Sequence, residues 1–152
     1  CKYRRVPELA KTLGDLIVEA VQWCDAAKLL SFDYAQDDSL ILCPVPLHWS
    51  RRFQRGFNQA ELIARQVRST FNLPVQPLLR RSRSTGHQAW RGRAERLQAV
   101  QGAFRVRRNQ SLPNRVILID DLATTGATLD ACAVALKEAG VQWVEGWVVA
   151  HG

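Results

Sequence analysis

Residues Val116-Ile117-Leu118-Ile119 form an apolar run without alternation, followed by Asp120-Asp121-Leu122-Ala123-Thr124-Thr125-Gly126-Ala127-Thr128. The run predicts a strand buried on both faces, as in a parallel sheet. Two acids then stand at its carboxyl end, the edge where open α/β sheets hold ligands. Beyond them, Leu129, Cys132, Ala133 and Leu136 recur at helical spacing, and Gly140 supplies a stop. The Thr-Thr-Gly-Ala-Thr turn therefore opens a helix, where free N–H groups and the helix dipole favour an anion. Gly126 admits close approach of the backbone, and the Thr hydroxyls add donors. The bland alternative is an acidic turn followed by an ordinary capped helix.

The thirteen residues from Val116 to Thr128 resemble the phosphoribosyl-pyrophosphate (PRPP) signature of type I phosphoribosyltransferases. The resemblance implies that Asp120 and Asp121 serve catalysis by holding the ribose 2′- and 3′-hydroxyls, with Mg²⁺ accompanying the ligand. It implies that Thr124, Thr125, Gly126, Ala127 and Thr128 cup the 5′-phosphate. The residue types suit such a ligand, because vicinal hydroxyls need paired acceptors and a phosphate needs donors.

A chain of 152 residues suffices for one domain with a real core. No apolar run of about 18 residues exists, so no membrane span is expected, nor is a signal peptide. Cys1, Cys24, Cys43 and Cys132 include no CxxC pair and read as buried thiols of a reducing cytoplasm. With no Met and a Cys at position 1, the chain is expected to begin inside a longer reading frame or to be a processed form.

Charge is unevenly spread. Between Pro46 and Arg115 stand 15 Arg, no Lys, and Glu61 and Glu95 as the acids, a local charge of +13 in a chain of net +7. Arginine without lysine suits planar, bidentate phosphate recognition. A diphosphate, a nucleic-acid backbone and a solvated basic surface all remain open on composition.

Glu8 to Leu30 reads as a packing helix with an apolar face through Leu9, Leu13, Leu16, Ile17, Ala20, Val21, Cys24 and Ala27, weakened slightly by Gly14. Residues 31–39 read as a polar linker. Leu40 to Cys43 is a short strand, from which Pro44-Val45-Pro46 takes the chain out of the sheet. A basic, aromatic loop runs to Phe57. Asn58 with Glu61 reads as a capping box, and Ala60, Ile63, Ala64, Val67 and Phe71 as the buried face of a helix stopped by Pro74. Arg105 to Asn114 reads as a polar hairpin or loop, and Val141 to Ala150 as a closing strand.

Pro44-Val45-Pro46-Leu47-His48 followed by Arg55-Gly56-Phe57-Asn58-Gln59 resembles the ComF family, phosphoribosyltransferase-like proteins linked to DNA uptake in natural competence. Arg81, Thr85, Gln88, Arg96 and Gly102-Ala103-Phe104 extend the likeness, although Ala99 replaces a frequent Asn of the family. The resemblance implies a pyrophosphate loop from Pro46 to Arg55, with Arg55 its leading residue, and a basic flexible lid contributing Arg81 and Arg96. His48 is open between loop ligand, proton donor and hydrogen-bonded loop residue. The four-cysteine zinc element common in the family is missing, so no zinc is expected and Mg²⁺ is the expected metal. Purine transferases often carry a third acid at the position of Thr124, which argues against purine salvage.

The expectation is one phosphoribosyltransferase-like α/β domain: an N-terminal helix and linker over 1–39, then a core over 40–152. The core would be a mostly parallel open sheet of about five strands, flanked by helices, with the basic flexible lid. The ligand would be PRPP or ribose 5-phosphate, and the protein would be cytoplasmic. The alternative is a non-catalytic competence factor that binds single-stranded DNA or proteins of the competence machinery. It would use its arginines with Trp49, Phe53, Phe57 and Trp90 interleaved.

Overall fold

The computed structural model describes residues 6–23, 40–47, 57–82, 100 and 102–152. The element order is helix α1 (Val6–Trp23), strand β1 (Leu40–Pro44), α2 (Gln59–Phe71), β2 (Leu79–Arg81), β3 (Phe104–Val106), β4 (Arg115–Ala123), α3 (Ala127–Glu138) and β5 (Trp143–His151). Strands β1, β4 and β5 form a parallel sheet in the order β1-β4-β5. Val75 adds a single parallel bridge to Leu42 on the far side of β1. Strands β2 and β3 form a separate antiparallel pair with Arg80 opposite Arg105. The expected sheet of about five strands is thus three parallel strands plus an antiparallel pair, and Arg105, expected to open a polar hairpin or loop, lies within the strand Phe104–Val106.

Alternation along β4 sorts the core into two layers. Val116 and Leu118 share one cluster with Cys43, Leu79, Phe104, Cys132 and Leu136, under α3 and the hairpin. Ile117 and Ile119 share the other with Ile17, Leu42, Ile63, Val67 and Trp147, under α1 and α2. Every residue of β4 from Val116 to Ile119 is buried because both sheet faces are covered.

Pro44 does not end the ladder: it is the last residue of β1, opposite Ile119. Leu42 bonds outward, its N–H to Pro74 O at 2.9 Å, whereas Val45 N–H bonds inward to Ile119 O at 2.9 Å. Alternation therefore aims the nitrogen of Pro44 away from β4, beyond the single bridge at Val75, where no ladder donor is needed.

The helices follow their patterns, with two differences. Ala60, Ile63, Ala64 and Val67 are the buried face of α2, and Asn72 closes it in the left-handed region at φ 52°. The capping box is not formed. Asn58 makes no side-chain cap, and its Nδ2 donates instead to Val45 O at 3.0 Å, while Glu61 bonds Arg65 Nη2 at 2.9 Å. Gly14 is not a mere weakness of α1: a Cβ there would lie 2.5 Å from Gln66 Cγ and 2.6 Å from Gln66 Cβ, so glycine permits the close crossing of α1 and α2. The α1 axis ends at Trp23 within the described residues, and the expected continuation to Leu30 and the linker over 31–39 lie outside them. Gly140, at φ 106°, stops α3 as expected: its N–H bonds Lys137 O and that of Val141 bonds Leu136 O.

Candidate functional site

From β1 the chain crosses through α2 to Val75 on one side; from β4 it crosses through α3 to β5 on the other. The strand order therefore reverses between β1 and β4, and the carboxyl ends of these two strands flank the crevice where such sheets take ligands.

Strand β4 brings both acids to that edge and runs on past them: Asp120 pairs with Val148, and Leu122 with Ala150. Asp120 follows Leu118 on the hairpin side of the sheet. Burial pushes its carboxyl up to about 7, and the negative charge of Asp121 beside it acts in the same direction. The Asp121 N–H, which donates to Asp120 Oδ1 at 2.9 Å, and the positive charge of Arg81 both oppose the rise.

Thr124, Thr125 and Gly126 form the bend between β4 and α3. Gly126 lies at φ 72°, a left-handed conformation that a side chain would strain. Thr125 Oγ1 accepts from Ala127 N at 3.4 Å, and among the described residues no side chain caps the helix. A small hollow of about 40 Å³, lined by Asp120, Leu122 and residues 123–129, opens here. Thr124, Thr125, Gly126, Ala127 and Thr128 are thus together against Asp120. Leu122 stays 51% exposed at the rim.

Arg81 approaches from the hairpin, its guanidinium carbon 5.3 Å from the centre of the Phe104 ring. It also lines a cleft of about 190 Å³ at the carboxyl end of β1, with Pro44, Pro46, Asn58, Arg80 and Arg107. Arg80 and Arg107 were not singled out from the sequence. Their signal is the short pairing of Leu79–Arg81 with Phe104–Val106, which no periodic pattern reveals. Arg55, Arg96, His48, Thr85 and Gln88, and the aromatics Trp49, Phe53 and Trp90, lie outside the described residues.

The free thiols of Cys43 and Cys132 underlie this region. Burial pushes Cys43 up to about 11, and it carries Cys132 well above the usual thiol value, with Cys43 and Asp120 adding to that rise. Burial thus disfavours the reactive thiolate at both. No group of three or more His, Cys, Asp or Glu side chains among the described residues could enclose a metal. Mg²⁺ needs no such cage: one or two carboxylates plus ligand oxygens suffice. Asp120 and Asp121, adjacent at the end of β4, could supply such carboxylates once Asp120 gives up the proton that burial and the charge of Asp121 favour. No helix among the described residues is long and apolar enough to cross a membrane.

No family model matches the sequence. Competence protein F of Haemophilus influenzae is 33% identical over 113 residues, 72% of this chain and 49% of that protein. Competence protein ComFC of Bacillus subtilis is 38% identical over 104 residues, 68% of this chain and 41% of that protein. DNA utilization protein YhgH of Escherichia coli O157:H7 is 27% identical over 150 residues, 96% of this chain and 62% of that protein. The chain thus spans about half the length of the curated relatives it matches.

Proposed function

This chain belongs to the ComF family, and we propose that it binds PRPP with Mg²⁺ and transfers the phosphoribosyl group to a nucleophilic acceptor. The observation that carries the proposal is the order of parts along one sheet edge. A phosphate-sized turn at the start of α3, an acid pair, and an arginine-lined cleft follow one another across the β4–β1 switch point. That order matches a ribose with a phosphate at one end and a diphosphate at the other.

Each residue then has a role. The N–H groups and hydroxyls of Thr124, Thr125, Gly126, Ala127 and Thr128 hold the 5′-phosphate. Asp120 and Asp121 accept hydrogen bonds from the ribose hydroxyls and offset positive charge developing on the sugar as the diphosphate leaves. Arg81, with Arg55 and Arg96 from outside the described residues, binds the departing diphosphate. Mg²⁺, held by Asp120 and Asp121 with ligand oxygens, would supply neutralisation of phosphate charge. The reaction would run in the cytoplasm, a reducing compartment that suits the free thiols of Cys43 and Cys132.

Calorimetric titration of PRPP, with and without Mg²⁺, tests the reading. Wild type should bind with Mg²⁺, and the Asp120→Asn/Asp121→Asn variant should not. Absence of binding by folded wild type overturns it.

One feature favours the second reading, a competence factor that binds single-stranded DNA. Arg80 and Arg105 face each other across the hairpin, both exposed, with Arg107 and Arg108 exposed nearby. Like charges directly opposite are unfavourable unless a polyanion covers them. The names of the relatives agree with such a partner. Affinity for a single-stranded oligonucleotide that falls steeply with salt supports this reading, and salt-independent or absent binding removes it.

A further inference from the structure

Strand β5 is the outer strand of the parallel sheet, and among the described residues no strand lies beyond it. Its Trp143 N–H donates to Asn114 O at 3.0 Å, and its register with β4 runs unbroken from Trp143 to Val148. Alternation then turns the N–H and C=O groups of Val144, Gly146 and Val148 away from β4, with no described strand to receive them. Proteins ordinarily blunt such an edge with Lys, Pro or a very short strand. Trp143–His151 has 9 residues and neither Lys nor Pro. Its one acid, Glu145, already accepts from Trp147 Nε1 at 2.9 Å. Gly146, exposed and without a side chain, leaves the middle of the edge open.

The surface continues onto α1, which packs on both α2 and β5. Gly14 and Asp15 meet Gln66 of α2, the Asp15 carboxylate accepting from Gln66 Nε2 at 3.0 Å. At about 100° per residue, Leu13, Leu16 and Ala20 stand on the opposite flank of the helix, over the outer side of β5. Leu16 is 48% exposed there, and Ala20 is exposed beside it.

We propose that this edge and flank join two copies of the chain in a two-fold dimer, their β5 strands pairing antiparallel about Gly146. The backbone groups are placed for it. Val144 of one copy meets Val148 of the other, and Gly146 meets Gly146, each pair exchanging both N–H···O bonds. Glu145 comes opposite Trp147 of the other copy, not opposite its own twin. The two sheets become one, and Leu16 and Ala20 of both copies close over the same side of the junction. Charge selects the same occupant. Two copies of net charge +7 repel where their arginines meet, whereas β5 and the Leu13–Leu16–Ala20 flank carry neither Lys nor Arg. A single patch that serves both copies is what a closed dimer requires. The proposal is independent of the phosphoribosyl reading.

Analytical ultracentrifugation over a concentration series, joined to amide hydrogen exchange, tests the dimer on wild type, Leu16→Glu and Val134→Glu. Val134 is 54% exposed on α3, across the sheet from α1, and serves as the control. Both substitutions fall on exposed side chains, and circular dichroism checks that the fold is kept. Wild type should show a monomer–dimer equilibrium. Leu16→Glu sets two carboxylates across the axis in place of an apolar pair and should raise the dissociation constant roughly 10- to 100-fold. Val134→Glu should match wild type. The amides of Val144, Gly146 and Val148 should exchange slowly in the dimer and freely in the dilute monomer. Folded wild type that stays monomeric up to about 1 mM overturns the dimer and leaves the edge to a strand of another protein. A dimer whose three amides exchange as freely as in the monomer overturns the strand pairing. A dimer weakened by Val134→Glu and not by Leu16→Glu overturns the surface.

Discussion

The backbone N–H of Asp121 donates to Oδ1 of Asp120 at 2.9 Å, yet burial and the charge of Asp121 still lift the Asp120 carboxyl to about 7. Unfolded, this carboxyl titrates near 3.9. The folded state therefore holds a proton that the unfolded state has lost between these values, and stability falls as pH rises from about 4 to about 7. Asp120→Asn removes the titration. Urea unfolding at pH 5 and pH 8 should show the variant less sensitive to pH and more stable than wild type at pH 8 by roughly 1–3 kcal/mol. The same variant should bind the phosphoribosyl ligand poorly.

Asn58 gives a sharper test than an ordinary cap. A capping role would make Asp an equal replacement. The donor bond from Nδ2 to Val45 O makes Asp the worse one, because a carboxylate then faces a carbonyl oxygen. Asn58→Asp should cost about 1–2 kcal/mol in thermal or chemical unfolding, at least as much as Asn58→Ala. A neutral Asn58→Asp would restore the capping account.

Gly14→Ala sets helix propensity against packing. Alanine gains up to about 1 kcal/mol in a helix interior, but its Cβ meets Gln66 Cβ at 2.6 Å, an atom fixed to the backbone of α2. Overpacking of this kind costs roughly 1–3 kcal/mol, so the variant should melt at or below the wild-type temperature. Gln66→Gly in the same chain should relieve the clash, measured as a non-additive double mutant.

Arg105→Gln should move stability and nucleic-acid affinity in opposite directions. Removing the charge opposite Arg80 should stabilise the hairpin by about 0.2–1 kcal/mol. If the exposed face contacts phosphates, affinity for a single-stranded oligonucleotide should fall across sequences and the logarithmic salt slope should shrink by about 1.

The centre of the fold could be read from the residues because its signals are local and agree. An unbroken aliphatic run, two acids, a glycine turn and a helix closed by Gly140 each follow from neighbours in the chain, and β4, the turn and α3 stand where these signals put them. The strand's extension through Ala123 is not legible in the residues, because acids carry no strand signal. Its cause is the parallel partner β5, which continues to His151. The hairpin is hidden because Leu79–Arg81 and Phe104–Val106 are three residues each and pair across more than twenty intervening positions. Arg107 is hidden with it, since only the register sets it against Leu78 and Leu79. Asn58 shows the converse: its local pattern fits a capping box, and a tertiary acceptor 13 residues earlier takes the side chain instead.

The pairing of Leu40 with Arg115 joins residues 75 positions apart. No local element can stand in for that closure, and parallel pairing across so long an interval is slow to form. The two halves of the ligand edge, one at Pro44 and one at Asp120, therefore come together only when the sheet itself closes. During refolding, competence to bind should emerge in the same late step as burial of Ile119, after the helices have gained their dichroism. An early collapsed form would carry both the arginines and the acids and still have no affinity for the ligand.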